Sequence, residues 1–108
     1  MATFDDRKDA AEKKYAHDEE MIFKANARRA KLLGLWAAGQ LGKSGDEAEA
    51  YAKSVVVADF EEAGEEDVFR KIRADLNAGG RTDIADQTIR RSMDELRDVA
   101  LEQVKAGR

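Results

Sequence analysis

Large apolar residues in this chain return every three or four positions, and that spacing leaves little room for anything but helix. Ile89, Met93, Leu96, Ala100 and Val104 fall at intervals of four, three, four and four, one face of a helix from about Asp83 to Lys105. A Thr82 or Asp83 cap would open it. Val68, Phe69, Ile72 and Leu76 mark a second face between about Glu65 and Asn77, which starts with acids at its positive dipole end. Tyr51, Val55, Val56, Ala58 and Phe60 mark a third, in a helix that begins near Ser44, where Ser44 and Glu47 have the spacing of a capping box. Val55, Val56 and Val57 favour strand locally, but the sequence offers no strand to pair with them. Met21, Ile22, Ala25, Leu32, Leu33, Leu35 and Trp36 line the second half of a long helix from about Phe4 to Leu41.

Glycines at Gly42/Gly45, Gly64 and Gly79/Gly80 separate these segments, and proline is absent. The expected fold is all-α, a compact four-helix domain over residues 20–108 with a mobile, partly helical N-terminal arm over residues 1–19. Trp36 is expected as the large anchor of the core.

The arm follows from an imbalance. Between Phe4 and Tyr15 those two aromatics are the only large apolar residues, and the rest of FDDRKDAAEKKY is charged or alanine. Acid–base pairs three or four apart support such a helix by roughly 0.2–0.5 kcal/mol each. They do not supply the buried area that would hold it against a core. Two aromatic anchors among mixed charges make a segment suited to folding into a partner's groove.

Charged residues form 39% of the 108, interspersed in sign, with a formal net charge of −4. No basic surplus points to nucleic acid. No apolar run is long enough to span a bilayer, and the N-terminus lacks the apolar stretch of a secretory signal. With no cysteine, disulfides and thiolate metal sites are excluded, which suits a reducing compartment. A cytoplasmic protein without direct membrane insertion is the expectation.

Little in the sequence points to catalysis. His17 is the single histidine, in YAHDEE, and reads as a solvated residue, though its titration near neutral pH suits a hinge between arm and domain. The serines and threonines have no base nearby in sequence. The acids Glu61/Glu62 and Glu65/Glu66/Asp67 flank Gly64 and read as a solvated corner rather than as metal or glycosidase carboxylates. No enzyme is expected, and no metal or catalytic residue is assigned. GQLGKSG, from Gly39 to Gly45, imitates a phosphate-binding loop, but the motif's first glycine would have to stand at Ala37. A helix start with free N–H groups and Lys43 could still hold a phosphate weakly at Gly42, Lys43 and Ser44.

FDDR at Phe4–Arg7, AHDEE at Ala16–Glu20, ARRAKLLGLWAA at Ala27–Ala38 and DFEEAGEEDVFRKIRADL at Asp59–Leu76 carry a resemblance over nearly the whole chain. The chain resembles the zeta subunits of alphaproteobacterial F-type ATP synthases, small natural inhibitors of ATP hydrolysis. The resemblance implies that Phe4, Asp5, Asp6, Arg7, Lys8, Asp9, Ala10, Ala11, Glu12, Lys13 and Lys14, with Tyr15, enter the catalytic head between an alpha and a beta subunit, with gamma within reach. The synthase would then be met at the inner face of the plasma membrane. It implies no required cofactor, and weak ATP or ADP binding on the helical domain as an alternative role, for which Gly42, Lys43 and Ser44 are the candidates. One departure stands out. Ala11 replaces a bulky apolar residue on the face of Phe4 and Tyr15, which would forfeit roughly 2–4 kcal/mol of interface energy.

Overall fold

A computed structural model of the protein describes residues 4–61 and 64–107, with side chains described from Glu19 onward. It contains four helices: α1 (Phe4–Gln40), α2 (Gly45–Glu61), α3 (Glu65–Ala78) and α4 (Asp86–Lys105). No strand occurs among the described residues. The valine run lies inside α2, where Val55 is fully buried, so burial overrides its local preference for strand.

The C-terminal half of α1 is the axis of the domain. It packs against α2 on one flank and α4 on another, and the backbones of α2 and α4 stay apart among the described residues. Leu33 and Ala37 of α1 meet Val55 of α2, Ile72 and Leu76 of α3, and Ile89 and Met93 of α4 in one core. Trp36 packs against this cluster from its edge and is only partly buried. Small residues do much of the packing on α1, because Ala30, Ala37 and Ala38 are all buried beside Leu33. The closest approach is at Gly34. A Cβ added there would lie 2.6 Å from the Cα of Ala52, so α2 crosses α1 nearly backbone to backbone.

Helices α1 and α3 stop by the same device. Gly42 takes a left-handed φ of 74°, its N–H donates to Gly39 O at 3.1 Å, and Lys43 N–H donates to Ala38 O at 2.9 Å. In α3 the left-handed residue is Gly80, with φ of 80°, and Arg81 N–H donates to Leu76 O at 2.8 Å. Each pair of bonds satisfies carbonyls that the helix end leaves open. Gly79, which the sequence suggests as the terminator, has an ordinary φ of −85°. Its own reason is space, since a Cβ there would fall 2.2 Å from Cδ2 of Leu41.

Two boundaries differ from the sequence reading. Helix α4 opens at Asp86 with Ala85 as its cap residue, three residues later than expected, and Thr82 and Asp83 lie in the preceding turn. The buried Ile84 explains the delay: it plugs the core while its carbonyl accepts from the Arg73 guanidinium. At the start of α2, Gly45 has φ of 58°, so helical dihedrals begin at Asp46 and Ser44 stands one residue early for a capping box with Glu47. Ile22 and Phe60, expected in the core, are more than half exposed.

Gly34→Ala and Gly39→Ala separate contact from helix propensity. A Cβ at Gly39 meets nothing within 4 Å, so that variant gains about 0.5–1 kcal/mol from helix propensity. Gly34→Ala gains the same propensity but incurs about 1–3 kcal/mol of overpacking against Ala52. Urea midpoints are expected to rise for Gly39→Ala and to fall for Gly34→Ala.

Candidate functional site

The GQLGKSG stretch is the joint between α1 and α2. Two N–H groups that a phosphate would need, those of Gly42 and Lys43, are already bonded to the end of α1. The C-terminal end of a helix dipole lies beside them, and Asp46 and Glu47 occupy the first turn of α2. What resembles a nucleotide motif in one dimension is a helix stop. Its glycines serve the reversal of the chain.

One polar cluster lies where α1, α3 and α4 meet, beside Asp59 of α2. Arg29 is its centre, with only 12% of its side chain exposed. Its Nε donates to Met93 O at 3.0 Å and its Nη1 to Glu65 Oε1 at 2.8 Å. Nη2 is buried without a hydrogen-bond partner among the described residues, and Arg29 lines a cavity of about 230 Å³ together with Asn26, Asp59 and Glu65. Arg97 reaches the same Glu65 oxygen at 3.1 Å, so one carboxylate ties α1, α3 and α4 together. Arg29 holds the Glu65 carboxyl below its usual range by hydrogen bonding. Burial pushes the Asp59 carboxyl up, against the attraction of Arg29.

The acids around Gly64 are therefore more than a solvated corner. Glu65 and Glu66 are exposed but each carries an ion pair, Glu66 with Arg90, whose guanidinium also lies 3.8 Å over the Phe69 ring. Glu62 lies outside the described residues. On the far side of α3, Tyr51 donates to Asp75 at 2.8 Å, and burial together with that carboxylate raises its phenol. No three His, Asp or Glu side chains gather as a metal site among the described residues.

The arm residues from Phe4 to Tyr15 belong to α1 by backbone, and their side chains, like that of His17, lie outside the described residues. What can be followed is how α1 loses its burial. Ala25 is the first buried residue in its described part, while Glu19, Glu20, Ile22, Phe23 and Lys24 are exposed. The stripe Ala25, Arg29, Leu33, Ala37 runs at intervals of four down the packed face. An arginine inside such a stripe signals a sequestered ion pair, a clue that catalytic motifs do not supply. Phe23 was also missed; neighbouring large residues at 22 and 23 point in different directions from a helix, so one core face cannot take both.

The sequence model of one family, ATPase inhibitor subunit zeta, matches residues 1–103. The chain belongs to that family. A structure solved by NMR in solution shares 51% identity with it, covering 82% of this chain and 99% of the other, with a TM-score of 0.71. Among curated proteins none matches. The family assignment, drawn from the segments Phe4–Arg7, Ala16–Glu20, Ala27–Ala38 and Asp59–Leu76, is supported by this match over residues 1–103. The zeta family is one of ATPase inhibitor subunits. No helix among the described residues is long and apolar enough to cross a membrane.

Asp59 gives this cluster a pH signature. Its carboxyl binds a proton more readily in the folded chain than in the unfolded one, so the folded state bears a cost once both forms are ionised. That cost is absent below the ordinary aspartate range, about 3.9, and grows as pH rises through the folded value. Asp59→Asn is expected to melt at a higher temperature than the parent at pH 7, with the difference vanishing below about pH 3.5, by circular dichroism.

Proposed function

We propose that this zeta-family chain inhibits ATP hydrolysis by an F-type ATP synthase, inserting the segment from Phe4 to Tyr15 between an alpha and a beta subunit of the catalytic head. The observation that carries the reading is the family match over residues 1–103, which includes that segment. The burial pattern of α1 supports it. Among the described residues the buried core draws on α1 only from Ala25 onward, and Phe23 adds a surface stacking contact with Phe60. In this reading residues 1–19 form an inhibitory arm and the domain from residue 20 is its anchor.

Insertion works by occupying a cleft whose shape changes during rotation. A helix wedged between two subunits stabilises the one rotational state that fits it, and hydrolysis halts when leaving that state costs more than the cycle supplies. Phe4 and Tyr15 contribute the apolar anchors, and Asp5, Asp6, Arg7, Lys8, Asp9, Glu12, Lys13 and Lys14 contribute ion pairs that set register. The protein catalyses nothing itself and requires no cofactor. It works in the cytoplasm, at the inner face of the plasma membrane when bound to the synthase. Nucleotide binding at Gly42, Lys43 and Ser44 gains no support from a loop whose first two N–H groups are committed to α1.

Deleting residues 2–14 should abolish inhibition of ATP hydrolysis by the cognate synthase while leaving the thermal transition of the domain in place. Undiminished inhibition by the truncated chain would remove the arm from the mechanism. Ala11 lies seven residues from Phe4 and four from Tyr15, on one helical face, and its methyl group offers little contact. Ala11→Phe is expected to lower the concentration for half inhibition by at least roughly tenfold, since an added buried ring contributes about 2 kcal/mol or more.

A further inference from the structure

Helices α2 and α4 flank α1 without meeting, and α3 closes only one side of the domain. The opposite side is a groove of about 520 Å³, with Phe23, Ala27 and Lys31 of α1 along its floor, Val56 of α2 on one wall and Val104 of α4 on the other. Lys31 and Val56 also border a second hollow that continues along α2 past Lys53 to Glu49. Phe23 is 58% exposed at the open end, where its ring stacks at a tilt on the equally exposed Phe60, centroids 5.4 Å apart.

The charge of this groove opposes that of the protein. Four cations border the two hollows, Lys24, Arg28, Lys31 and Lys53, against one carboxylate, Glu49, although the whole chain carries −4. Lys24 is engaged by Glu20 at 3.0 Å and Arg28 by Gln103 at 2.9 Å. Lys31 and Lys53 form no ion pair among the described residues and are exposed.

We propose that this groove is a docking site for an amphipathic helix of a partner protein, one with an apolar stripe flanked by acidic residues. The occupant is a helix because the groove is a helix-sized place left open between α2 and α4 on α1. Its floor runs along α1 over the nine residues from Phe23 to Lys31, a span of about 12 Å, or two helical turns. Ala27 is small enough to admit a close backbone, and Val56 and Val104 offer the ridges a helix packs between. An extended peptide would need a sheet edge for its backbone, and none exists among the described residues. The acidic flanks follow from Lys31 and Lys53, which would meet them across the rim. This surface is separate from the Phe4–Tyr15 segment, and it would give an inhibitor subunit a second hold on its target.

The full chain, isotope-labelled, would be titrated with a synthetic helical peptide bearing leucines at heptad spacing and glutamates beside them. The control is the same peptide with lysines in place of the glutamates. Amide shifts at Ala27, Lys31, Val56 and Val104 are expected with the acidic peptide only. Lys31→Glu combined with Lys53→Glu should weaken that binding at least tenfold and restore binding of the lysine peptide. The restored binding separates a charge effect from misfolding. Equal affinity for both peptides, or shifts confined elsewhere, would overturn the proposal. So would a concentration-dependent dimer in sedimentation whose formation buries Phe23 and Val56, because the groove would then belong to a second copy. ATPase inhibition measured on the double variant is a separate readout, so failure of the arm and failure of the groove are distinguishable.

Discussion

Everything in this domain rests on how closely α2 can approach α1. With no side chain at Gly34 and only methyl groups at Ala30, Ala38 and Ala52, the two helices meet nearly backbone to backbone. Close approach gains dispersion contact along the whole crossing, and it frees the larger Leu33 to point toward α3 and α4 with 1% of its surface exposed. A small domain has limited area to bury, so economy of this kind matters more than in a large one. It also explains why the core has no aromatic residue at its centre. Trp36 and Tyr51 serve the rim, where they seal the cluster and, for Tyr51, keep a polar end paired with Asp75.

Arg29 adds the complementary constraint. Close packing of α1 on α2 says nothing about where α3 begins, because two residues before Gly64 separate it from the described end of α2. The guanidinium settles it by binding Met93 O and Glu65 at once, so the first turn of α3 is fixed to the middle of α1 and α4. Such a largely buried charge is destabilising unless its hydrogen bonds are made, and Glu65 and Met93 satisfy two of its nitrogens. The cost falls on Asp59, a carboxylate brought near enough to be desolvated without bonding directly. The same corner therefore contains a well-paired acid and a poorly paired one, six residues apart in sequence.

The helices were legible because their signal is local. Spacing of three and four survives any tertiary arrangement, and α3 and α4 kept their predicted stripes of Val68, Ile72, Leu76, Ile89, Met93 and Ala100 in the core. Helix ends were less legible, since they depend on which glycine takes a left-handed φ and which merely makes room. Gly79 and Gly80 look alike in sequence and act differently in space. Ile84 hid the true start of α4, because a buried residue in a turn carries no periodic signature. The exposed Phe23–Phe60 pair was hidden for a related reason: hydrophobicity indicates a wish to be covered, not by whom. The GKS triplet has the letters of phosphate chemistry, while its backbone forms a helix end.

Helix α1 serves two masters along one axis. From Ala25 to Ala38 its sequence is constrained by neighbours in its own domain, and alanine, glycine and leucine dominate its packed face. Toward Glu19 the same helix has no core to satisfy, and its composition turns to charge. A continuous helix across that boundary has a physical use. Under the proposed insertion, rigid attachment would lower the entropy lost when the segment finds its cleft, because its direction is already set by the domain. The domain would then have to hold α1 firmly enough to transmit force from a rotating target. Close backbone contact at Gly34 and an ion-pair corner at Arg29 that joins α1, α3 and α4 grip α1 at two points about one turn and a half apart, which resists both sliding and tilting.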